Sequence, residues 1–507
     1  MAQVKWKAAC WTLLAALALA AGCNFAPKYT VPPVATTPGF KETNGWKMAQ
    51  PSDAVIKGKW WEMFNDPQLS SLEDQVNVSN QTIVAALENF LAARAVAKEA
   101  RAQLYPTITA DPSVSWTKPS QNAGGSSVSS GTAGNSVTAS SGSSGKVFRS
   151  YILPLDASWE PDLWGSIRNT VAASAYAAQA SAAQLENMRL SIQAELAIDF
   201  FSLRFQDELI DLYTSTITNY KASVELTKTL FETGIDSDLD VAQADSLLET
   251  TLAQATALGI QRAQFEHAIA MLTGQSASAF SLTPSPHRDN PPGVPIGLPA
   301  QLLERRPDVA AAERAVAEAN ASIGVARAAY YPTISLSGAV GYQSSALSKL
   351  LNSSSFYWAA GVAASELVFD AGKRNAVTQQ AWASYRANAA TYRQTALTAF
   401  QQVEDDLSAL RILETEHGQQ EVAVKAAQKN LDLAIERYRL GINSYLNVIT
   451  AQVSLLSNQQ ADVAIRLQRM TSSVQLVTAL GGGWTTNDLP TPHGVFHYSG
   501  TNMTNNP

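Results

Sequence analysis

The stretch Thr107-Ile108-Thr109-Ala110-Asp111-Pro112-Ser113-Val114-Ser115-Trp116-Thr117 alternates strictly along its length. In an extended chain successive side chains point to opposite faces. Ile108, Ala110, Pro112, Val114 and Trp116 therefore share one face, and Thr107, Thr109, Asp111, Ser113, Ser115 and Thr117 share the other. The pattern returns 226 residues later, with Ile334, Leu336, Gly338, Val340 and Tyr342 against Thr333, Ser335, Ser337 and Gln343. Val147–Trp159 and Phe356–Phe369 read as the return strands, so strands are expected at about 106–118, 147–159, 332–344 and 356–369. A period of two with an aromatic near one end suits a barrel strand set between lipid and lumen. It also suits a half-buried soluble sheet. Four strands cannot close a barrel, and an open edge in lipid is forbidden. A membrane barrel made of these strands must be shared between chains, and three copies supply twelve.

Working outward, the chain is a duplication. Tyr105-Pro106-Thr107-Ile108 recurs as Tyr331-Pro332-Thr333-Ile334, and Arg101 matches Arg327 at the same offset of 226. Gly165, Gly234-Ile235 and Gly274 recur as Gly372, Gly441-Ile442 and Gly481 at an offset of 207. The offset drops across the Ser/Gly-rich tract Ser120 to Lys146, a loop by composition. Long Ala/Gln/Leu-rich stretches without interior Pro predict helices at Ser166–Thr233 and Lys373–Leu440, each roughly 100 Å long at 1.5 Å per residue. Helices at Ile235–Thr273 and Ile442–Leu480 follow, with Gly234 and Gly441 at the reversals. Shorter helices precede the Tyr-Pro steps, at about Gln68–Leu104 and Pro299–Tyr330.

The N-terminus reads as an export signal over residues 1–22. Lys5 and Lys7 precede an apolar run from Ala8 to Leu19, then Ala20-Ala21-Gly22 lead to Cys23. The run is shorter than the roughly 20 residues a spanning helix needs. Cys23 after Ala-Ala-Gly resembles a bacterial lipobox, although Ala20 stands where Leu is usual. Plain signal cleavage is the alternative. The length of 507 residues alone would suggest about three domains. Only 16% of residues are charged, against about 25% in an average soluble protein, while 46% are hydrophobic. That balance, with 11 Trp, 15 Tyr and 15 Phe, excludes a helical membrane protein and a disordered chain. A net charge of -7 gives no sign of nucleic-acid binding. Two cysteines, Cys10 and Cys23, exclude a disulfide framework.

Further residues carry a resemblance. They are Ala26-Pro27-Lys28-Tyr29, Trp60-Trp61 before Phe64-Asn65-Asp66-Pro67-Gln68-Leu69, and Ser158-Trp159-Glu160-Pro161-Asp162-Leu163-Trp164-Gly165. Leu302-Leu303-Glu304-Arg305-Arg306-Pro307-Asp308-Val309, Leu367-Val368-Phe369-Asp370-Ala371-Gly372 and Ala479-Leu480-Gly481-Gly482-Gly483-Trp484 complete the set. Through them the chain resembles the TolC-like outer-membrane factor family, in the NodT-type lipoprotein branch that serves RND-type tripartite pumps. The resemblance implies a mainly α protein with a transmembrane β-barrel: a homotrimer with a twelve-stranded outer-membrane barrel continued by a twelve-helix periplasmic tunnel. It implies a lipid on Cys23, no other cofactor, and partners in a periplasmic adaptor (a membrane fusion protein), an inner-membrane pump and outer-membrane lipid. It divides the chain into a lipid-anchored segment 23–65, repeats at 66–284 and 285–484, and a flexible tail 485–507.

In that family the helix reversals form the periplasmic tip. Gly234, Ile235, Gly441 and Ile442 are then the adaptor-contact tips, and Asp236, Asp238, Asp240, Asn443, Tyr445, Asn447 and Thr450 are the gate and selectivity residues. Any acidic ring must come from the first half alone, because Asn443, Tyr445 and Asn447 stand where the first half has Asp. Asp236 and Asp238 read equally as helix caps and as gate residues, and Asp240 is the better pore candidate. The five histidines form no HExxH pattern, and no phosphate-binding loop or nucleophile elbow is present. The expectation is a passive duct and no enzyme. The other reading is a periplasmic coiled-coil adaptor or scaffold, which would not need the alternating strands.

Overall fold

The computed structural model describes residues 24–34, 36, 39–42, 58–118, 147–286, 291–293, 305–492 and 494–497. Cys23 and the tract Ser120–Lys146 lie outside them. The described chain is mainly helical, in the order α1 (Pro67–Ser79), α2 (Gln81–Ala102), β1 (Thr107–Thr109), β2 (Ser113–Thr117), β3 (Phe148–Trp159), α3 (Ser166–Glu232), α4 (Asp238–Leu272), α5 (Pro307–Ala328), β4 (Thr333–Ser344), β5 (Phe356–Ser365), α6 (Lys373–Arg439), α7 (Tyr445–Ala479) and the short α8 (Gly494–His497). The halves match in length. Helices α2 and α5 each have 22 residues, α3 and α6 each have 67, and α4 and α7 each have 35. At 1.5 Å per residue the 67-residue helices run for about 100 Å.

The contacts divide the chain into two units. The first holds the sheet and the segments flanking it. Its strands are antiparallel in the order β1/β2–β3–β4–β5. Thr107 faces Ser158 and Val114 faces Tyr151, so β1 and β2 are one strand position in one unbroken register against β3. The expected single strand 106–118 is thus interrupted at Ala110–Pro112. Pro112 has no N–H to donate, and extending the register sets Asp111 opposite Pro154, which has none either. The last strand also ends earlier than expected, at Ser365.

At the junction into α6, Asp370 accepts the amides of Gly372 (3.0 Å) and Arg374 (3.1 Å) and the Arg374 Nε–H (2.8 Å). These bonds, led by the Arg374 amide, hold its carboxyl below the usual range. Asp162 does the same work ahead of α3, accepting the amides of Ile167 (3.2 Å) and Arg168 (2.8 Å).

The second unit is helical. Its core is built on the middle of α3, where Phe200, Phe201, Leu203 and Phe205 are buried with Leu69 and Val76 of α1, Ile269 of α4, Leu407 of α6 and Val474 of α7. A helix apolar on nearly all sides is surrounded on nearly all sides. Each buried Phe or Leu contributes about 1.5–3 kcal/mol. Of the expected tail 485–507, residues 485–492 and 494–497 are described. Thr485 and Asp488 form a capping box, Val495 is buried, and Arg94 donates to the Val495 carbonyl (2.8 Å).

Burial also leaves carboxyls without compensation. Glu73 on α1 is fully buried, and among the described residues neither of its oxygens accepts a hydrogen bond. Burial, with Asp74 adding to it, raises its pKa well above the ordinary carboxylate range. Burial likewise lifts Asp199 to about 6, with Glu195 beside it, and Asp406 to about 7, with Asp405 beside it. A carboxyl whose pKa is higher folded than unfolded stabilises the fold most at low pH and loses that contribution as pH rises through the folded value. Stability should therefore fall between about pH 4 and 7, from the ordinary carboxylate value to the raised folded ones. Glu73→Leu should gain about 1–3 kcal/mol at neutral pH and flatten that fall. Denaturant unfolding of both proteins across the pH range checks this, and an unchanged slope in the variant would refute it.

Candidate functional site

The sheet offers one candidate surface. Register fixes which residues share a face. Ile108 opposes Ala157, Val114 opposes Tyr151, Leu153 opposes Tyr342, Leu155 opposes Val340, and Val340 opposes Trp358. Extended through all four strand positions, this face is apolar, and its only charge is Arg149, near the end of β3. The opposite face pairs Thr109 with Asp156, Ser115 with Ser150, Ser158 with Ser337 and Ala339 with Ala359, so it is mostly small and polar, with Phe148, Ile152 and Tyr357 as its large side chains. Among the described residues the apolar face is uncovered: Ile108, Trp358 and Val362 are 70%, 73% and 74% exposed. Trp116, Phe148 and Phe356 are exposed near one end of the strands, and Trp159 and Tyr331 at the other. Both outer edges, β1/β2 and β5, are unpaired among the described residues. No described helix is long and apolar enough to cross a membrane.

The helix reversals are the second surface. Gly234 (φ 77°) and Gly441 (φ 70°) take the left-handed conformation that ends a helix. In each, the following Ile amide bonds back five residues, closing a six-residue span: Ile235 to the Leu230 carbonyl (2.9 Å) and Ile442 to the Arg437 carbonyl (2.9 Å). Beneath them the ends of α3 and α6 and the starts of α4 and α7 share a core of Tyr220, Val224, Leu248, Tyr438, Tyr445 and Val448. Ile235, Leu239, Leu440, Ile442 and Leu446 stand exposed above it.

Each acidic residue at the first reversal has its own role. Asp240, expected to be the pore residue, closes the start of α4. Its carboxylate accepts the Ser237 hydroxyl (2.8 Å) while its amide donates to Ser237 Oγ (3.4 Å). Asp236, expected to cap or to gate, instead accepts the phenol of Tyr438, across from the first hairpin to the second. Asp238 is exposed at the first position of α4. In the second half, Tyr445, expected at the gate, packs inside the tip. It is only 2% exposed and its ring centroid lies 5.2 Å from that of Tyr438. Burial of a large ring at a helix start outweighs its use at the surface. Asn443 is half-buried and Asn447 exposed, and the exposed Thr450 donates to its own helix at the Leu446 carbonyl (2.8 Å).

Tyr438 escaped the sequence reading. The available signal was its position, three residues before Gly441, where the first half has Phe231. Burial, then the bond to the Asp236 carboxylate, raises its phenol above the ordinary tyrosine range, and burial pushes Tyr445 and Tyr220 to about 12. All three phenols stay protonated at any physiological pH, so the Tyr438–Asp236 link persists. Among the described residues no group of three or more His, Cys, Asp or Glu could hold a metal ion.

The sequence model of the outer membrane efflux protein family matches residues 72–275 and again 298–482. The solvent efflux pump outer membrane protein SrpC of Pseudomonas putida is 32% identical over 472 residues, covering 92% of this chain and 97% of SrpC. The antibiotic efflux pump outer membrane protein ArpC of Pseudomonas putida is 31% identical, covering 91% and 93%. Among solved structures, the outer-membrane channel OprN superposes with a TM-score of 0.82 at 28% identity, covering 91% of this chain and 100% of that one.

Removing the hydroxyl from Tyr438 keeps the ring and deletes the link between hairpins. A hydrogen bond to a charged group contributes about 1.5–3 kcal/mol. Tyr438→Phe should therefore accelerate amide exchange over residues 227–245 about tenfold, with the global unfolding midpoint nearly unchanged. Unaltered exchange there would mean that the link carries no local stability.

Proposed function

Because the chain belongs to the outer membrane efflux protein family, we propose that it is the exit duct of a tripartite pump, closed by three copies. It is an outer-membrane component of an efflux system, and so works with the other components of a pump. The family consists of transport proteins, and the chain offers no catalytic constellation to set against that.

The observation that carries the duct reading is the sheet: an apolar face, a polar face and two unpaired edges. In hydrocarbon each unsatisfied backbone group costs several kcal/mol, so an open sheet must be closed. Strands β3 and β4, twelve residues each, would span roughly 25–30 Å when tilted by about 45°. That matches an apolar band about 25 Å tall with aromatic residues at both rims. Closing β5 of one copy on β1/β2 of the next gives twelve strands, with the Thr/Ser/Ala face around water. The helices continue this as a twelve-helix tunnel, and a coiled-coil adaptor would have no use for such a sheet.

At the reversals, the exposed Ile235 and Ile442 beside Gly234 and Gly441 form the adaptor-contact surface, widened by Leu239, Leu440 and Leu446. The gate reading narrows to two residues. Asp236 is the latch, bound to Tyr438, and Asp238 is the exposed carboxylate that favours cations. Cys23 carries a lipid, residues 23–65 anchor the duct, and 66–284 and 285–484 are its two repeats. Cargo follows from the relatives: solvents and antibiotics are the substrate classes named for SrpC and ArpC, and a duct with a small polar wall accepts both.

Deletion of the gene should raise susceptibility to an aromatic solvent and to several antibiotics together. In planar bilayers the purified protein should conduct, and Asp238→Asn should reduce preference for cations while Tyr438→Phe raises the open fraction. A chain that stays monomeric in detergent and conducts nothing would sink the duct reading. Loss of palmitate labelling in Cys23→Ser checks the anchor separately.

A further inference from the structure

In the second unit, one level of charge joins three helices, roughly 25–35 Å from the reversals at 1.5 Å per residue. Arg466 of α7 donates twice to the Glu208 carboxylate of α3 (2.6 and 3.1 Å) and once to Asp462 (3.1 Å), a turn earlier on its own helix. The other oxygen of Asp462 lies 3.2 Å from Nδ1 of His417 on α6. Nε2 of the same ring faces Glu421, a turn further along α6, at 4.0 Å. Little water reaches these groups: the side chains of His417, Asp462, Arg466 and Glu208 are 16%, 21%, 15% and 11% exposed. His417 Nδ1 and Asp462 Oδ1 are buried, and among the described residues neither has a hydrogen-bond partner. The remaining charges nearby are already matched. Arg469 of α7 takes Glu414 of α6, and Lys425 lies 3.8 Å from Glu421. Other links on this seam are neutral, with Gln420 donating to the Asn458 carbonyl (2.9 Å) and Gln460 to the Tyr213 hydroxyl (2.6 Å).

We propose that His417 is a proton-operated clasp, which when protonated draws α6 onto Asp462 of α7 and, through Arg466, onto α3. The charge count carries the proposal. With the ring neutral, Arg466 alone answers both Asp462 and Glu208, so one negative charge is left over where water is scarce. One proton on His417 cancels it. Only the doubly protonated ring offers a donor to Asp462 and to Glu421 at once. Histidine is the side chain that ordinarily changes charge between about pH 5 and 8. A base that gains carboxylate partners on folding stabilises the fold while protonated, and that contribution is lost as pH rises, so the clasp tightens in acid. The helix beside it is able to give: Gly418 follows His417 inside α6, where glycine weakens a helix, and a Cβ there would meet nothing within 4 Å. The device belongs to one half, because Ile210, Ala255 and Gly259 stand where the second half has His417, Asp462 and Arg466. If the chain is the exit duct, and this consequence alone rests on that reading, acid stiffens the second hairpin of each copy and leaves the first unchanged.

The test uses the purified full chain and two variants. His417→Gln cannot take up the proton, and Asp462→Asn removes the surplus charge while leaving Arg466 on Glu208. Amide exchange over residues 410–425 and 455–470 is followed at about pH 7.5 and 5.5, with rates corrected for the intrinsic pH dependence of exchange. Glu73, Asp199 and Asp406 stabilise every one of these chains in acid, so the measure is the difference between chains at those two segments. On acidification, protection there should rise about tenfold more in the unmodified chain than in either variant. An equal response in the unmodified chain and His417→Gln would overturn the clasp, and so would a difference that appears to the same extent over α4. In planar bilayers the open fraction should fall in acid for the unmodified chain and not for His417→Gln. A constant open fraction in a chain whose exchange responds would overturn the stiffening of the duct and leave the clasp standing. A chain that conducts nothing would fail the duct reading, with the clasp still decided by exchange.

Discussion

Everything in this molecule follows from the obligation to pair backbone amides where water is absent. On the proposed reading, a sheet that presents Ile108, Leu155, Trp358 and Val362 on one continuous face meets hydrocarbon, and hydrocarbon offers no partner to an unpaired edge. The described strands of one chain are too few to close on themselves, and on the proposed reading that incompleteness is the reason for assembly. The same obligation shapes the helices. The 67-residue helices satisfy their own backbone internally, which leaves side chains free to divide between neighbours and water.

Duplication gives the two halves matching contacts. The ion pair Arg262–Asp207 (2.7 Å) of the first hairpin recurs 207 residues later between Arg469 and Glu414. Asp199 and Asp406, both with raised pKa, are the same position in each half. Cross-links between halves are unique: Arg466 of α7 grips Glu208 of α3 (2.6 Å), and Tyr438 reaches Asp236. Shared pairs stabilise each hairpin, and the unshared ones tie the hairpins together.

Much of this was legible in the sequence because the signals are periodic. Strict alternation at Thr107–Thr117 and Thr333–Gln343 assigned both faces of the sheet, and Gly234 and Gly441 marked the reversals through the conformation that only glycine adopts without strain. The misreadings lie where a residue has two competing uses. A carboxylate at a helix start can cap, bridge or face the pore, and only the partner's position decides: Asp240 meets Ser237 at the start of α4, and Asp236 meets Tyr438. Tyr445 read as a surface residue because its counterpart is Asp238, yet a ring gains more from the core. The interruption at Ala110–Pro112 needed the opposing Pro154, and the packed tail needed Arg94, neither of which is close in sequence.

The two reversals have one backbone and two chemistries: the same left-handed glycine and the same six-residue bond, but aspartates in one and asparagine and tyrosine in the other. In a ring built from copies of this chain, shape and charge would therefore repeat at different intervals. The backbone outline would recur at every hairpin, and the negative charge only at every second one. A partner with a single repeated docking element could fit every position by shape while distinguishing alternate positions by charge. Duplication in this sense creates an address: two kinds of site on a surface that looks uniform to packing alone.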